Sequence, residues 1–483
     1  MMNRRVVIDP VTRVEGHGKV TLLVDENNQI NEARLHIVEF RGFEKFIQGR
    51  PFWELPLVVQ RLCGICPVSH HLAAAKAIDQ IVGVDQLTEG ALALRKLMHF
   101  GQVLQSHALH FFHLAAPDLV FGFDSDIARR NIVALIQNHQ TLALQGVRIR
   151  KFGQQIIEAV SGKRIHGIAA VPGGMNAPLS ADKINPFKAQ VDDIIEWCEA
   201  TIATIKTLFL SHRDYHEAFG TTESNFMALS GEKGQLELYH GDLRIIDRTG
   251  SEIRRQPSDQ YRALLSEQVK SWSYMKFPYL SHLTPETGWY RVGPLARINV
   301  CRYIDTPRAE RCRQDFVSTL GTPAHSPLAY HWARMIEALH CAEAIKNLLH
   351  NPALLSNDLL SQGTRQQQGI GIIEAPRGTL IHHYEVNGQD QVTMANLIVS
   401  TTNNNQAMNE SIRKVAQQHL TGKELTPELL NLIEVVIRAY DPCLSCATHA
   451  AGKMPLRLEL QTPDGKIHSA LQRNSDGRLH NAG

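Results

Sequence analysis

No stretch of this 483-residue chain approaches the ~20 consecutive apolar residues of a membrane-spanning helix, so no membrane partner is expected. An excess of one charge is also missing. The 50 Lys and Arg nearly balance 48 Asp and Glu, leaving a formal net charge of +2. Without a basic field, neither nucleic acid nor an anionic membrane surface is an expected partner. The opening MMNRRVVIDPVTRVEG meets Asp9 and Glu15 before any apolar segment forms, which argues against a secretory signal. Internal repeats and low-complexity linkers are absent, which excludes solenoids and favours one continuous body. Cysteine is scarce: eight residues cannot form a disulfide scaffold in a chain this long. A reducing, cytoplasmic compartment is expected.

What is present has the balance of a globular protein, 43% hydrophobic and 20% charged. Residues 5–40 alternate as RVVIDPV, KVTLLVD and INEARLHIVEF around a polar turn at 26–29, predicting a small antiparallel sheet. From Pro67 the pattern turns helical, since proline suits a first turn and HHLAAAKAIDQIV supplies strong helix formers. EGALALRKLMHFGQVLQSHALHFFHLAAPD predicts one long apolar helix. Further helices are expected near 126–160, 187–217, 327–349, 407–420 and 426–440, mixed short strands over 220–310, and strands again at 370–400. The expected class is α+β, mainly α, with small sheets at the edges of a helical body.

Four of the cysteines form two Cys-x-x-Cys pairs near opposite ends, Cys63/Cys66 in RLCGICPVSHH and Cys443/Cys446 in DPCLSCATH. Each pair is followed closely by a histidine, His70 or His449. Thiolates brought together from both pairs would form a soft site for zinc, copper(I), iron or nickel, and not for magnesium or calcium. A structural zinc site is the plain reading. Against it, zinc modules bring their pairs together over short spans, and these pairs lie at opposite ends among apolar residues. Cys66 also precedes a helix N-terminus, where the dipole favours thiolate. Cys198, Cys301, Cys312 and Cys341 stand alone and read as small buried hydrophobes.

The surroundings of the pairs resemble the large subunit of nickel-iron hydrogenases. DPVTRVEGH, EFRGFEKF, RLCGICPVSH, SHALHFFHLAAPD, EAPRGTL and DPCLSCATH occur in that family's order across nearly the whole chain. GRPFWELP, VPGG, KFPY, YRVGPLARINV, IHHYEV and TTNNNQAMN look like the cytoplasmic, bidirectional NAD-linked type. The resemblance implies the family fold, with a central bundle of long helices and small peripheral sheets.

It also implies that Cys63, Cys66, Cys443 and Cys446 bind nickel, with Cys66 and Cys446 bridging to an iron that carries cyanide and carbon monoxide. Cys443 would be the first proton acceptor and Glu15 the relay away from it. Glu44 and His449, with a backbone carbonyl near Asn405, would hold a magnesium-type ion. Arg377 would lie over the open metal face, supported by Asp118 and near Asp441, and His70 would hydrogen-bond the bridging sulfur of Cys66. Taken singly, Glu15 and Glu44 read as solvated carboxylates and Arg377 as a surface ion-pair partner.

His107, His110 and His113 recur at every third position but are expected as core or interface histidines. GIGIIE at 369–374 half-resembles a dinucleotide loop, yet lacks the third glycine and the following helix, and does not place NAD on this chain. Isolated cysteines cannot hold iron-sulfur clusters. The resemblance therefore implies an iron-sulfur small subunit, diaphorase subunits with flavin and NAD(P), nickel-insertion proteins and a maturation endopeptidase. The catalytic domain would span 1–449, with 450–483 removed by cleavage after His449; an ordinary terminal hairpin near 456–470 is the alternative. The implied activity is reversible splitting of H2 linked to NAD(P)+. Alternatives are a deazaflavin, heterodisulfide or polysulfide acceptor, a hydrogen-sensing relative, or a non-catalytic zinc protein.

Overall fold

The computed structural model describes residues 4–8, 11–25, 29–37, 39–123, 125–126, 129–419, 427–447, 456–461, 467–473 and 479–481. Long helices form its centre and short sheets its margins. The helix Glu89–Ala108 is capped by Thr88, whose hydroxyl accepts from the Ala91 N–H. It packs against Gln140–Ser161 and Ala329–Leu349, and the latter packs in turn on Val191–Ser211. Ala329–Leu349 is buried on nearly every side, as a helix without a polar face must be.

The expected long helix continues past Ala108, but through a π-helical segment, Leu109–Ala115, into Ala116–Phe121. Expected helices at 126–160 and 187–217 each divide into shorter ones. Pro294–Val300 and Pro307–Leu320 are helices that the sequence pattern does not announce. In the second, only Ala309 and Phe316 are buried, too few to draw an apolar stripe.

Arg4–Ile8, Gly18–Val24 and Ile30–Ile37 form the expected antiparallel sheet. A second antiparallel sheet joins Gln368–Ala375, Gly378–Val386 and Val392–Ile398. GIGIIE lies in its first strand and is no ligand loop. The helix Pro67–Ile81 crosses so close that a Cβ at Gly371 would stand 1.9 Å from the Ala73 carbonyl oxygen, and one at Gly369 1.9 Å from that of Ala77. These glycines admit the helix to the sheet. Further along, Leu456–Gln461 and Ile467–Arg473 pair antiparallel, so strands do occur in the stretch considered for a terminal hairpin. Among the described residues no helix is long and apolar enough to cross a membrane.

Candidate metal centre

Cys63 ends a short 3-10 helix, Val59–Leu62, and Cys66 caps Pro67–Ile81 with Pro67 in the first turn. Within this loop the Cys63 sulfur accepts N–H bonds from Ile65 at 3.2 Å and Cys66 at 3.3 Å. Cys443 and Cys446 follow the helix Pro427–Tyr440, after Asp441 turns the chain in the left-handed region at φ 53°. The Cys443 N–H is held by the Thr401 hydroxyl at 2.8 Å.

These loops bring the four sulfurs within 4.8 Å of one another, all of them buried. Cys63 and Cys443 are 3.4 Å apart, Cys66 and Cys446 3.9 Å, and Cys443 and Cys446 2.8 Å. Hydrogen bonds from Cys443, Cys446 and Cys63 push the Cys66 thiol well down despite burial. Burial pushes Cys443 and Cys446 well up. The Cys66 sulfur is thus held closer to thiolate than those of Cys443 and Cys446. Metal loading must expel the remaining thiol protons, which makes it pH-dependent.

Glu15 reaches this cluster from the far end of the sequence. Its segment pairs with Cys443 in a parallel bridge, and the Leu444 N–H donates to the Glu15 carbonyl at 3.1 Å. The half-buried carboxylate accepts from the Cys443 thiol at 3.0 Å and the Ser445 N–H at 3.1 Å, and from the Ser445 hydroxyl. Gly16, at φ 80°, permits the approach, since a Cβ there would stand 2.8 Å from the Ser445 nitrogen.

Arg377 lies in the same narrow cavity as Cys66, His70 and Cys443. It pairs with Asp441 at 3.1 Å, while its buried Nε and Nη1 have no partner among the described residues. Burial opposes its charge, but Asp441 and the sulfurs of Cys443, Cys66 and Cys63 outweigh this and keep it cationic. Burial in turn pushes the Asp441 carboxyl up against the opposing pull of Arg377 and Arg334.

Asp118 is not its support, contrary to the sequence expectation. Its two oxygens are taken by Arg13, by Arg438 at 2.9 Å and by Arg130 at 3.6 Å. Arg438 also bonds the Thr12 carbonyl at 3.0 Å, so Asp118 anchors the segment that carries Glu15. Support for Arg377 comes instead from Arg297, which sequence reasoning missed. Arg297 donates to the carbonyls of Ala375 at 3.1 Å and Pro376 at 3.0 Å, and is itself held by Glu337 and Glu374. In such a fully buried network, removing one partner costs ~3–5 kcal/mol.

His70 lines the same cavity as Cys66 and hydrogen-bonds toward its sulfur, and its Nδ1 faces His382 Nε2 at 3.1 Å. Glu44 lies apart from the sulfurs. Its Oε1 accepts from Lys276 Nζ and the Leu397 N–H, both at 2.8 Å. Lys276 also faces Glu267, and Asn405 bonds the Lys276 carbonyl at 2.8 Å. Glu267 Oε1 and Asn405 Oδ1 are buried without a hydrogen-bond partner among the described residues. His449 lies outside the described residues. His107 is no ligand: it bonds Glu337 at 2.8 Å, and burial pushes its ring down to about 4. His110 bonds the Arg438 carbonyl at 2.6 Å.

Comparison with known proteins gives a consistent result. A family model described as "Nickel-dependent hydrogenase" matches residues 41–139 and 250–449, and one described as "HoxL-like" matches residues 5–40. The chain is 45% identical to the beta subunit of an NAD-reducing hydrogenase of Cupriavidus necator, over 96% of this chain and 99% of that one. It is 39% identical to a chain of the vhc F420-non-reducing hydrogenase of Methanococcus voltae, over 95% and 98%. A crystal structure of an NAD+-reducing [NiFe]-hydrogenase in the H2-reduced state matches with a TM-score of 0.91 and 54% identity. That match covers 93% of this chain and all of the other. Four soft donors converging in a fold of this kind make the chain a large subunit belonging to the nickel-dependent hydrogenase family.

Proposed function

We propose that this chain is the catalytic subunit of a reversible, cytoplasmic hydrogenase that splits H2 heterolytically and passes the electrons to NAD(P)+ through partner subunits. The carrying observation is the convergence of four buried thiols, the Glu15 carboxylate and the Arg377 guanidinium in one water-poor site. A structural zinc needs neither of the last two.

Cys63, Cys66, Cys443 and Cys446 would hold nickel, with Cys66 and Cys446 shared with iron. All four donors are soft sulfur, which suits these metals. Arg377 Nε and Nη1, buried without acceptors, suit anionic cyanide; the apolar wall of Pro376, Leu380 and Val399 suits carbon monoxide. The bound metals supply a polarisable, redox-active centre for hydrogen. The protein supplies the rest. The fixed charge of Arg377 favours charge separation beside the sulfurs, and Asp441 holds that guanidinium in place. A proton left on Cys443 Sγ stands 3.0 Å from Glu15 Oε2, within direct transfer range. Ser445 fixes the carboxylate with two hydrogen bonds, and its half-buried position gives the proton a way outward.

Glu44, with Glu267 Oε1 and Asn405 Oδ1 nearby and free of hydrogen bonds among the described residues, suits a hydrated magnesium-type ion, to which His449 would add its ring. Lys276 already supplies one positive charge there, so such an ion would keep several waters.

Electrons need a partner. Burial pushes the Cys301 thiol up to about 12, pushes Cys312 up to about 11, and raises Cys198 and Cys341. None is poised to bind a cluster. A docking face for an iron-sulfur small subunit is supported beside Cys63: its carbonyl bonds half-exposed His166 at 3.1 Å, and Ile165 and Ile168, close to it in sequence, are exposed. Flavin and NAD(P) would lie on diaphorase subunits beyond it. The Methanococcus voltae relative supports a second reading with another acceptor.

Infrared spectroscopy of the purified complex tests the centre. Bands of iron-bound carbon monoxide and cyanide are expected, with one nickel and one iron per chain and H2-dependent reduction of NAD+. Zinc as the only metal would reject the hydrogenase reading, whereas the bands without NAD+ reduction would favour the second acceptor class.

Residues 450–483 would be removed after metal insertion by an endopeptidase acting with nickel-insertion proteins. Full coverage of the solved chain by 93% of this one, and a family match ending at residue 449, support this. Intact-mass measurement of the working enzyme is expected to end at His449. An active chain still ending at Gly483 would overturn the processing.

A further inference from the structure

The two residues His382 and Tyr384 have no part in the chemistry above, yet they join it by an unbroken buried chain. His70 bonds the Cys66 sulfur on one side, and its Nδ1 lies 3.1 Å from His382 Nε2 on the other. His382 Nδ1 lies 2.6 Å from the Tyr384 hydroxyl. All three side chains are essentially inaccessible to solvent.

Strand geometry explains the alignment. His382 and Tyr384 alternate along Gly378–Val386 and so share a face, while His383 points the other way and bonds Tyr261 at 2.9 Å. The residues directly opposite on the neighbouring strand are Gly371 and Gly369. Cross-strand partners share a face, so the two rings lie beside two positions without side chains. The helix Pro67–Ile81 enters that gap and brings His70 onto His382.

We infer that His382 and Tyr384 are positioning residues that set the proton order of the chain ending at the bridging sulfur of Cys66. The inference rests on the nickel-iron reading. A thiolate shared by two metals has lone pairs but no proton, so His70 must donate to it. Among the described residues no carboxylate pairs with His70, and its Nδ1 faces a second ring nitrogen, that of His382. A neutral ring that donates at one nitrogen accepts at the other. His70 Nδ1 therefore accepts from His382 Nε2–H, leaving His382 Nδ1 to accept from the Tyr384 O–H. Burial raises the phenol's pKa well above its ordinary value, so it keeps the proton it donates. This order gives each described contact along the chain one donor and one acceptor.

The bond to sulfur draws electron density from the thiolate, and outer partners of a ligand tune its basicity in this way. Infrared spectra of the metal-loaded complex read that density through the iron-bound carbon monoxide band. Tyr384→Phe and His382→Leu are expected to move the band to lower wavenumber. His382→Gln is expected to hold it near the wild-type position, because its amide N–H serves His70 and its carbonyl takes the Tyr384 proton. Coincidence of the Tyr384→Phe band with wild type would overturn the inference, as would a His382→Gln shift equal to that of His382→Leu. Should His382→Leu fail to fold, Tyr384→Phe, which removes one oxygen, still decides. Wild-type enzyme without such bands would sink the nickel-iron reading itself, a separate failure.

Discussion

Cys443→Ala is expected to give a folded chain that retains no nickel and shows no hydrogen-dependent activity. Cys443 belongs to the set of four sulfurs within 4.8 Å and is also the one that touches Glu15. Loss of an outer-shell partner costs ~10–100-fold in metal affinity, and loss of a direct ligand should exceed that. The fold should survive. Removing one buried sulfur costs roughly as much as a buried methylene, ~0.8 kcal/mol, against a total stability of about 5–15 kcal/mol. Nickel content by mass spectrometry and H2 uptake are the measurements. One nickel per chain with wild-type uptake in the variant would refute the role assigned to this sulfur.

Glu15→Gln should separate proton transfer from metal binding. The substitution keeps shape, and an amide can preserve each contact: its oxygen toward the Cys443 thiol and the Ser445 N–H, its nitrogen toward the Ser445 hydroxyl. What it cannot do is accept a proton. General-base contributions are ~10²–10⁴-fold, or about 2.7–5.5 kcal/mol of barrier. Hydrogen–deuterium exchange should fall by that factor while nickel and iron stay bound. Exchange within about twofold of wild type would show that the proton leaves Cys443 by another route.

Residue type and spacing make part of this site legible. Two Cys-x-x-Cys pairs announce soft-metal chemistry wherever they fold, and the motifs around them are distinctive enough to name a family. Helices with strong formers, such as Pro67–Ile81, and alternating strands, such as Ile30–Ile37, follow from local preference. The π-helical segment at Leu109–Ala115 does not, since a run of apolar residues with histidines looks the same in either winding. The family resemblance implies Asp118 as a partner of Arg377. Which of several arginines reaches its two oxygens is a question of distance, and Arg13, Arg130 and Arg438 are nearer.

By itself the sequence determined the donor set and its softness, because each follows from residue identity and local spacing. Tertiary structure decided what those donors meet. It set Glu15 beside Cys443 across 428 positions, gave Arg297 the task of holding the Arg377 turn, and brought Lys276 to Glu44. It also turned two glycines that resembled a cofactor loop into the gap through which His70 reaches His382. Contacts between residues far apart in the chain depend on packing of the whole core, and local sequence preference does not encode them.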